Sequence, residues 1–496
     1  VAYNAPERRV LPGILTTTLL MGIAAGLRVA VATMLRLQQD EASSFLERSF
    51  AYLMADEERF FNPVPWRAIN VVLLNLTDDL LTLRMASVAC AVAAVGWLAS
   101  FAGRRVGPVG GWIAGLGLAC TPWLVRQTGQ FRSYGLTLLA ATLVATSVFS
   151  LLERPTKRRL LTSAVVVGLA GWAHFILLPW TVLWAIAALF VARDSRLRGV
   201  GVVAVIVVAS LAVHPAWLAF GGLMLKRGGP SASMQARDAI DVVWRPELAV
   251  LVVSFLAAAW PGKVRRGGNS ALILLAFAAV FGGIILAAGG QLRTIRWGHL
   301  VAIAPAVWLC CGAFIDGACR PSRRAAVSVS VVASLLAAVM ASSLLGALGD
   351  GVLRRDEVAL ARWMKARPDV DVVALEREFS GLMQPRANGV AHALGYYAGG
   401  PERCVGADVI HLRRCRAQSR VMRHGEEAVR GWCREGRCIY PLNDAATPLD
   451  SAPKPSKTTI VAVIPQLAEA TEPPFPGCER GEAGGWWLCR ALENQR

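Results

Sequence analysis

Long apolar runs separated by short polar connections fill the first 347 residues of the chain, and mixed polar sequence fills the rest. Runs of this length match the thickness of a bilayer core, so the pattern predicts about eleven membrane spans. They cover roughly 10–35, 80–102, 108–126, 133–152, 160–176, 177–192, 199–220, 247–261, 269–289, 298–316 and 325–347. The fifth and sixth form one apolar stretch from Leu160 to Val191, too long for a single crossing, with a break expected near His174 and Pro179. In the loop after the first span, Phe45, Leu46, Phe50, Leu53 and Met54 recur at helical spacing, as do Trp66, Ile69, Asn70, Leu73 and Leu74. Two amphipathic helices along the membrane surface are expected there, separated by Asn62-Pro63-Val64-Pro65. Thr77-Asp78-Asp79 reads as an N-cap with first-turn acids for the second span, and Asn75-Leu76-Thr77 fits a glycosylation triplet.

The composition agrees with a polytopic membrane protein: 55% of the 496 residues are hydrophobic, 17% are charged, and the mean hydropathy is +0.46. A net charge of +18 resembles a nucleic-acid signature until it is placed along the chain. Residues 1–347 carry 31 Lys and Arg against 15 Asp and Glu, so the excess belongs to the membrane part and no nucleic-acid partner is implied. The connections at Arg8-Arg9, Arg104-Arg105, Glu153 to Arg159, Arg193 to Arg198, Lys263 to Arg266 and Arg320 to Arg324 fall on one side; they carry 17 basic residues and, with the rest of that side, 4 acidic ones. The positive-inside rule makes that side cytoplasmic. The other side has 14 basic and 11 acidic residues and the longer loops, and function is expected there. The first run leads into polar sequence without a small-residue cleavage pattern and reads as a retained signal-anchor.

Beyond residue 348, strand-like runs at Val370 to Leu375, Asp408 to Leu412, Thr458 to Ile464 and Trp486 to Leu492, with helix-like segments such as Arg355 to Lys365, predict a small α/β domain. An odd number of spans from a cytoplasmic N-terminus places it outside. The expected division is therefore a membrane domain over 1–347 and an outer domain over 348–496. Six of the 11 cysteines, Cys404, Cys415, Cys433, Cys438, Cys478 and Cys489, lie in that domain, and an even set in an outer compartment predicts three disulfides of undetermined pairing. Zinc is the competing reading, because Cys433 and Cys438 are closely spaced and His411 and His424 are near; a second closely spaced pair is missing.

Candidate chemistry begins where the first span ends. Asp40 and Glu41 are the first carboxylates after it, at a membrane surface where a base could be held against a lipid-borne substrate. Arg132, Arg293 and Arg296 lie near the outer ends of spans, at phosphate height, and Arg67 is a further candidate; each also reads as a cation reaching lipid headgroups. Arg28 lies about 18 Å below Asp40 at ~1.5 Å per residue and is expected to pair inside the bundle.

Asp40-Glu41-Ala42, the loop at Asn62-Pro63-Val64-Pro65 and Leu83-Arg84-Met85-Ala86-Ser87 at the second span follow the order seen in membrane glycosyltransferases of the GT-C type. Arg132-Ser133-Tyr134, Ala173-His174-Phe175, Arg293 to Trp297 and Ala391 to Tyr397 extend the likeness along most of the chain. It departs at Asn62-Pro63-Val64, where many relatives read His-Pro-Pro, and at Arg296-Trp297, where an Arg-Tyr pair is common. The resemblance, to a class that includes protein O-mannosyltransferases and lipid A transferases, implies inverting transfer of a sugar from a polyprenyl-phosphate donor to a glycan, lipid or protein acceptor. Transfer would take place at the outer face of a bacterial inner membrane. It implies Asp40 as general base, with Glu41 positioning the acceptor or loop. The outer arginines would hold the donor phosphate, and Asn62, Tyr134 and His174 would line the substrate site. No cofactor follows from the sequence; a divalent metal is compatible with it but not implied. Two other classes fit part of the pattern. Intramembrane arginine and broken spans also serve a transporter or lipid flippase, although no internal repeat is present and the charges concentrate at one face. A non-catalytic assembly protein would use the terminal domain to hold a partner.

Overall fold

A computed structural model describes residues 10–35, 64–77, 79–191, 195–225, 268–289, 297–319 and 322–349, together with eight strands between residues 371 and 490. The helices are α1 (Val10–Met34), α2 (Val64–Leu76), α3 (Leu80–Arg105), α4 (Pro108–Cys120), α5 (Pro122–Thr128), α6 (Tyr134–Glu153), α7 (Lys157–Ala173), α8 (Pro179–Val191), α9 (Ser195–Leu225), α10 (Gly268–Gly289), α11 (Ala304–Cys319) and α12 (Arg323–Gly349). Short 3₁₀ segments at Phe175–Leu177 and Trp297–Ala302 precede α8 and α11. Contacts divide the chain into two compact units. The helical one comprises Val1–Ala32, Glu58–Arg67 and Asp79–Leu344; the other comprises Thr33–Glu57, Ala68–Asp78 and Leu345–Arg496 and holds the strands.

Among the described residues, α1, α3, α6 and α12 are each long and apolar enough to cross a membrane. Leu15 and Leu19 on α1, Val182 and Leu189 on α8, and Val331 and Leu335 on α12 are all more than half exposed, in numbers that water would not tolerate and lipid would. The chain is a polytopic helical membrane protein. The apolar stretch of the expected span 108–126 is built from two helices, α4 and α5, bent by 59°. The cause is Pro122, which has no N–H to donate to the carbonyl four residues earlier and ends the helix at Cys120. The expected break inside 160–192 is present, at His174 and the 3₁₀ turn that follows it. The span at 247–261, the amphipathic segment around Phe45 and the helix around Arg355 lie outside the described residues. The second amphipathic segment is α2, and within Thr77-Asp78-Asp79 the cap of the second span is Asp79 itself, not a first-turn acid: its Oδ2 accepts from the Thr82 N–H at 2.8 Å and from its hydroxyl at 2.6 Å.

Glycine sets the closest helix contacts. A side chain at Gly117 of α4 would overlap the Trp308 indole of α11, and a Cβ on Gly312 of α11 would come within 2.5 Å of the Gly110 carbonyl. At the start of α4, Gly107 has φ 157°, and a Cβ there would collide with the Asp316 carboxylate, which accepts from the Gly110 N–H at 3.3 Å.

In the second unit, strands β1 (Asp371–Glu376), β4 (Trp432–Arg434), β5 (Arg437–Leu442), β6 (Thr459–Ile464), β7 (Cys478–Arg480) and β8 (Trp487–Arg490) make one sheet in the order β4-β5-β1-β6-β8-β7. β1 is parallel to both β5 and β6; the remaining pairs are antiparallel. β2 (Val421–His424) and β3 (Glu427–Arg430) form a separate antiparallel pair. The sequence-predicted runs at 370–375, 458–464 and 486–492 correspond to β1, β6 and β8, and the run at 408–412 lies outside the described residues. In the helical unit, Cys90, Cys120, Cys310, Cys311 and Cys319 form no disulfide. Cys404 and Cys415 lie outside the description.

Candidate functional site

Interrupted helices create polar backbone inside an apolar bundle, and each interruption must find partners. At the α4–α5 bend, Arg28 of α1 supplies them. Its Nη2 donates to the Leu118 carbonyl at 2.9 Å, its Nη1 to the Ala119 carbonyl at 3.0 Å, and its Nε to the Thr128 hydroxyl at 2.9 Å. Leu118 is the residue whose helical partner would have been the missing N–H of Pro122. Arg28 is therefore a structural cation, as its depth implied, and it is fully buried. Arg84, in the family-like stretch at the second span, acts similarly by donating from Nη1 to the Ala32 carbonyl at 2.7 Å.

The break at His174 is organised differently. His174 is extended, caps the end of α7 and starts the 3₁₀ turn, with its Nδ1 accepting the Ile176 N–H at 3.2 Å. An Nδ1 that accepts carries no proton, so the ring N–H of neutral His174 is on Nε2. Three other rings gather around it. Phe175 lies 4.8 Å away between centroids, His299 at 5.2 Å, and Tyr134 at 6.5 Å in a stacked arrangement only 16° from parallel. His299 comes from the 3₁₀ segment before α11 and is also 6.4 Å from Tyr134 and 5.8 Å from Phe175. The Arg132 guanidinium sits over the Tyr134 ring, its Cζ 4.9 Å from the centroid. Both histidines and Tyr134 are 6% exposed, which makes this a buried polar-aromatic cluster with the Arg132 cation at its margin.

Local sequence explains the positions. Tyr134 is the first residue of α6, and the next residue, Gly135, lets α6 approach α3: its N–H donates to the Ser87 hydroxyl at 3.2 Å, and a side chain there would overlap the Ser87 carbonyl. On the other side, Trp180 of α8 donates from Nε1 to the Ala302 carbonyl at 3.1 Å, tying the end of the His299 segment to the helix that follows the His174 break.

A second feature lies one residue before Arg132 along the chain. Phe131 packs on Trp66 of α2, ring centroids 5.8 Å apart. Gln130 is 1% exposed, yet neither its carbonyl oxygen nor its amide nitrogen makes a hydrogen bond; the buried Trp66 indole N–H also makes none. Such groups are uncommon, because a buried donor or acceptor left unsatisfied costs about 1–3 kcal/mol. Together they present two donors and an acceptor around Phe131.

Of the sequence-predicted site residues, Arg132, Tyr134 and His174 are brought together. Arg67 is buried on α2 beside Trp66. Asp40, Glu41, Asn62, Arg293 and Arg296 lie outside the described residues. His299, Gln130 and Trp66 were not singled out by sequence reasoning. A signal existed for His299, a second histidine bordering an apolar run; for Gln130 the only signal was its place two residues before Arg132. Among the described residues, no three His, Cys, Asp or Glu side chains are grouped as metal ligands.

No protein-family model matches the chain, and no curated protein matches it. Solved structures do. The crystal structure of ArnT from Cupriavidus metallidurans bound to undecaprenyl phosphate matches with a TM-score of 0.57 at 13% identity, over 96% of this chain and 98% of that one. The structure of ArnT in the apo state matches with a TM-score of 0.54 at 14% identity, over 96% and 97%. At such identity the likeness is one of fold, and at that level it bears out the resemblance to GT-C transferases read from the sequence.

Proposed function

We propose that the chain is an inverting glycosyltransferase that moves a sugar from a polyprenyl-phosphate carrier to an acceptor hydroxyl at the outer face of the membrane. The observation that carries this reading is the gathering of Arg132, Tyr134, His174 and His299 at one end of α6, α7 and α11, in a fold shared with a protein crystallised with undecaprenyl phosphate. In the proposed reaction the acceptor oxygen attacks the anomeric carbon and the bond from that carbon to the carrier phosphate breaks. The acceptor proton passes to the Asp40 carboxylate, with Glu41 and Asn62 positioning the acceptor. Charge develops on the departing phosphate, which Arg132, Arg293, Arg296 and Arg67 are assigned to hold. The Nε2–H of His174 is a donor to the same phosphate or to a sugar hydroxyl. Gln130 and Trp66 offer the donor and acceptor groups that a sugar diol would satisfy. In this reading all eleven spans are formed, the N-terminus is cytoplasmic, and the α/β domain of residues 348–496 faces outward with the site.

The test is transfer of a radiolabelled sugar from polyprenyl phosphate to a membrane glycolipid extract by the purified protein in nanodiscs. Asp40→Asn keeps size and loses basicity, and turnover should fall on the order of 10²–10⁴-fold while carrier binding is retained. Near-wild-type turnover by a folded Asp40→Asn protein would overturn the assignment of the base. Failure of the wild type to transfer any polyprenyl-linked sugar, combined with movement of the lipid between vesicle leaflets, would replace the enzymatic reading with a flippase.

A further inference from the structure

The register of the terminal sheet places four of its cysteines in two directly opposed pairs. Cys433 on β4 is the register partner of Cys438 on β5, and Cys478 on β7 is the partner of Cys489 on β8. We infer that these are two disulfide bonds, Cys433–Cys438 and Cys478–Cys489, each fastening an edge strand of the sheet to its neighbour.

Three observations support the pairing. Directly opposed residues of antiparallel strands have Cα atoms about 4.5–5.5 Å apart, inside the roughly 4.4–6.8 Å range that a disulfide requires. In β4–β5 only Glu435 and Gly436 separate the strands, and Arg434 pairs with Arg437 beside that connection. The pair flanking a two-residue connection is the hydrogen-bonded one, so Cys433 and Cys438 fall on the closer, non-hydrogen-bonded position. Finally, β4 and β7 are the two ends of the sheet and are three residues long each, too short to hold their place by ladder hydrogen bonds alone.

The strand order also excludes a zinc site shared by the two pairs. The two pairs stand on opposite sides of β1 and β6, so β5 and β8 are three strand steps, about 14 Å, apart. Sulfurs sharing one zinc ion at about 2.3 Å from it lie within about 5 Å of each other. No four-cysteine site can draw on both pairs. Each bond forms when one thiolate attacks the disulfide of a thiol–disulfide oxidoreductase and the second displaces the carrier thiol; two protons and two electrons leave the cysteines, and the donor disulfide is reduced. This requires an oxidising compartment, so the bonds would be an independent mark of an outward-facing terminal domain.

Full-length protein is extracted with free thiols blocked by alkylation, digested with trypsin without reduction, and mapped by mass spectrometry. Arg434 and Arg437 separate the first pair and Arg480 the second, so each bond joins two distinct peptides. The expected result is a link between the peptides of Cys433 and Cys438 and another between those of Cys478 and Cys489, both lost on reduction. Cys433→Ser should expose one new thiol, at Cys438, and leave the other link intact. Alkylation of all four cysteines, a link from either pair to the other, or stoichiometric zinc released by thiol modification would overturn the inference. None of these outcomes bears on transfer by the membrane unit, whose assay stands apart.

Discussion

Two helix interruptions in the same bundle, both beside a proline, have been put to opposite uses. At the α4–α5 bend, Pro122 strands backbone carbonyls in an apolar interior, and Arg28 and Thr128 close the gap with a full set of hydrogen bonds. At the α7–α8 break, the one polar side chain at the junction is His174, whose Nδ1 accepts from the backbone and whose ring lies among Tyr134, His299 and Phe175. The first interruption is consumed by structure; the second has been left with chemistry to spare. A buried cation near a broken helix is therefore poor evidence of a binding site until its hydrogen bonds have been traced.

That contrast can be broken by substitution. Arg28→Met removes at least three hydrogen bonds from a buried guanidinium and leaves the Leu118 and Ala119 carbonyls bare. It should cost on the order of 3–5 kcal/mol, seen as a large fall in thermal unfolding temperature and in yield of detergent-extracted protein, with turnover per folded molecule little changed. A normal melting temperature with lost turnover would move Arg28 into the site. His174→Asn should do the reverse. Its side-chain oxygen can still accept the Ile176 N–H, so stability should change by about 1 kcal/mol or less, while transfer by folded protein falls roughly 10- to 100-fold through loss of the imidazole. Equal loss of stability in both variants would erase the distinction between the two breaks. The smallest effect is expected from Trp66→Phe, which deletes the unsatisfied indole N–H. Stability should hold or rise slightly, and affinity for the sugar-loaded carrier should fall about 2- to 12-fold, the equivalent of one neutral hydrogen bond, with affinity for the bare carrier unchanged. Parallel titrations of the two lipids separate these outcomes.

The elements legible in the sequence were those with a strong local signature. Val10–Met34, Leu80–Arg105, Tyr134–Glu153 and Arg323–Gly349 are uninterrupted apolar runs of membrane length, and β1 and β6 are short β-branched runs bounded by polar sequence. Arg28 was legible too, because depth alone argued for an internal partner. What stayed hidden depended on single residues or on distant ones. Pro122 bends 108–126 without lowering its hydropathy, so a window of average apolarity reads straight through it. Cys478–Arg480 has no periodicity to detect and is a strand only because β8 is beside it. His299 looks like a packing residue within its own segment, and becomes part of a cluster only when the start of α6 and the break after α7 bring Tyr134 and His174 to it. Gln130 is an unremarked polar residue until burial removes water from both ends of its amide.

The glycine contacts between α4 and α11 have a consequence for how the protein is made. At about 1.5 Å per residue the 13 residues of α4 reach roughly 20 Å, short of a bilayer core of about 30 Å. Its Gly110 and Gly117 faces and its Gly110 N–H are completed by Gly312, Trp308 and Asp316. Those residues emerge from the ribosome only after α5 to α10 have been synthesised. Throughout that interval α4 has α3 against Gly111 and α1 against Gly115 but not α11, and translation of the second half of the membrane unit is what completes its packing.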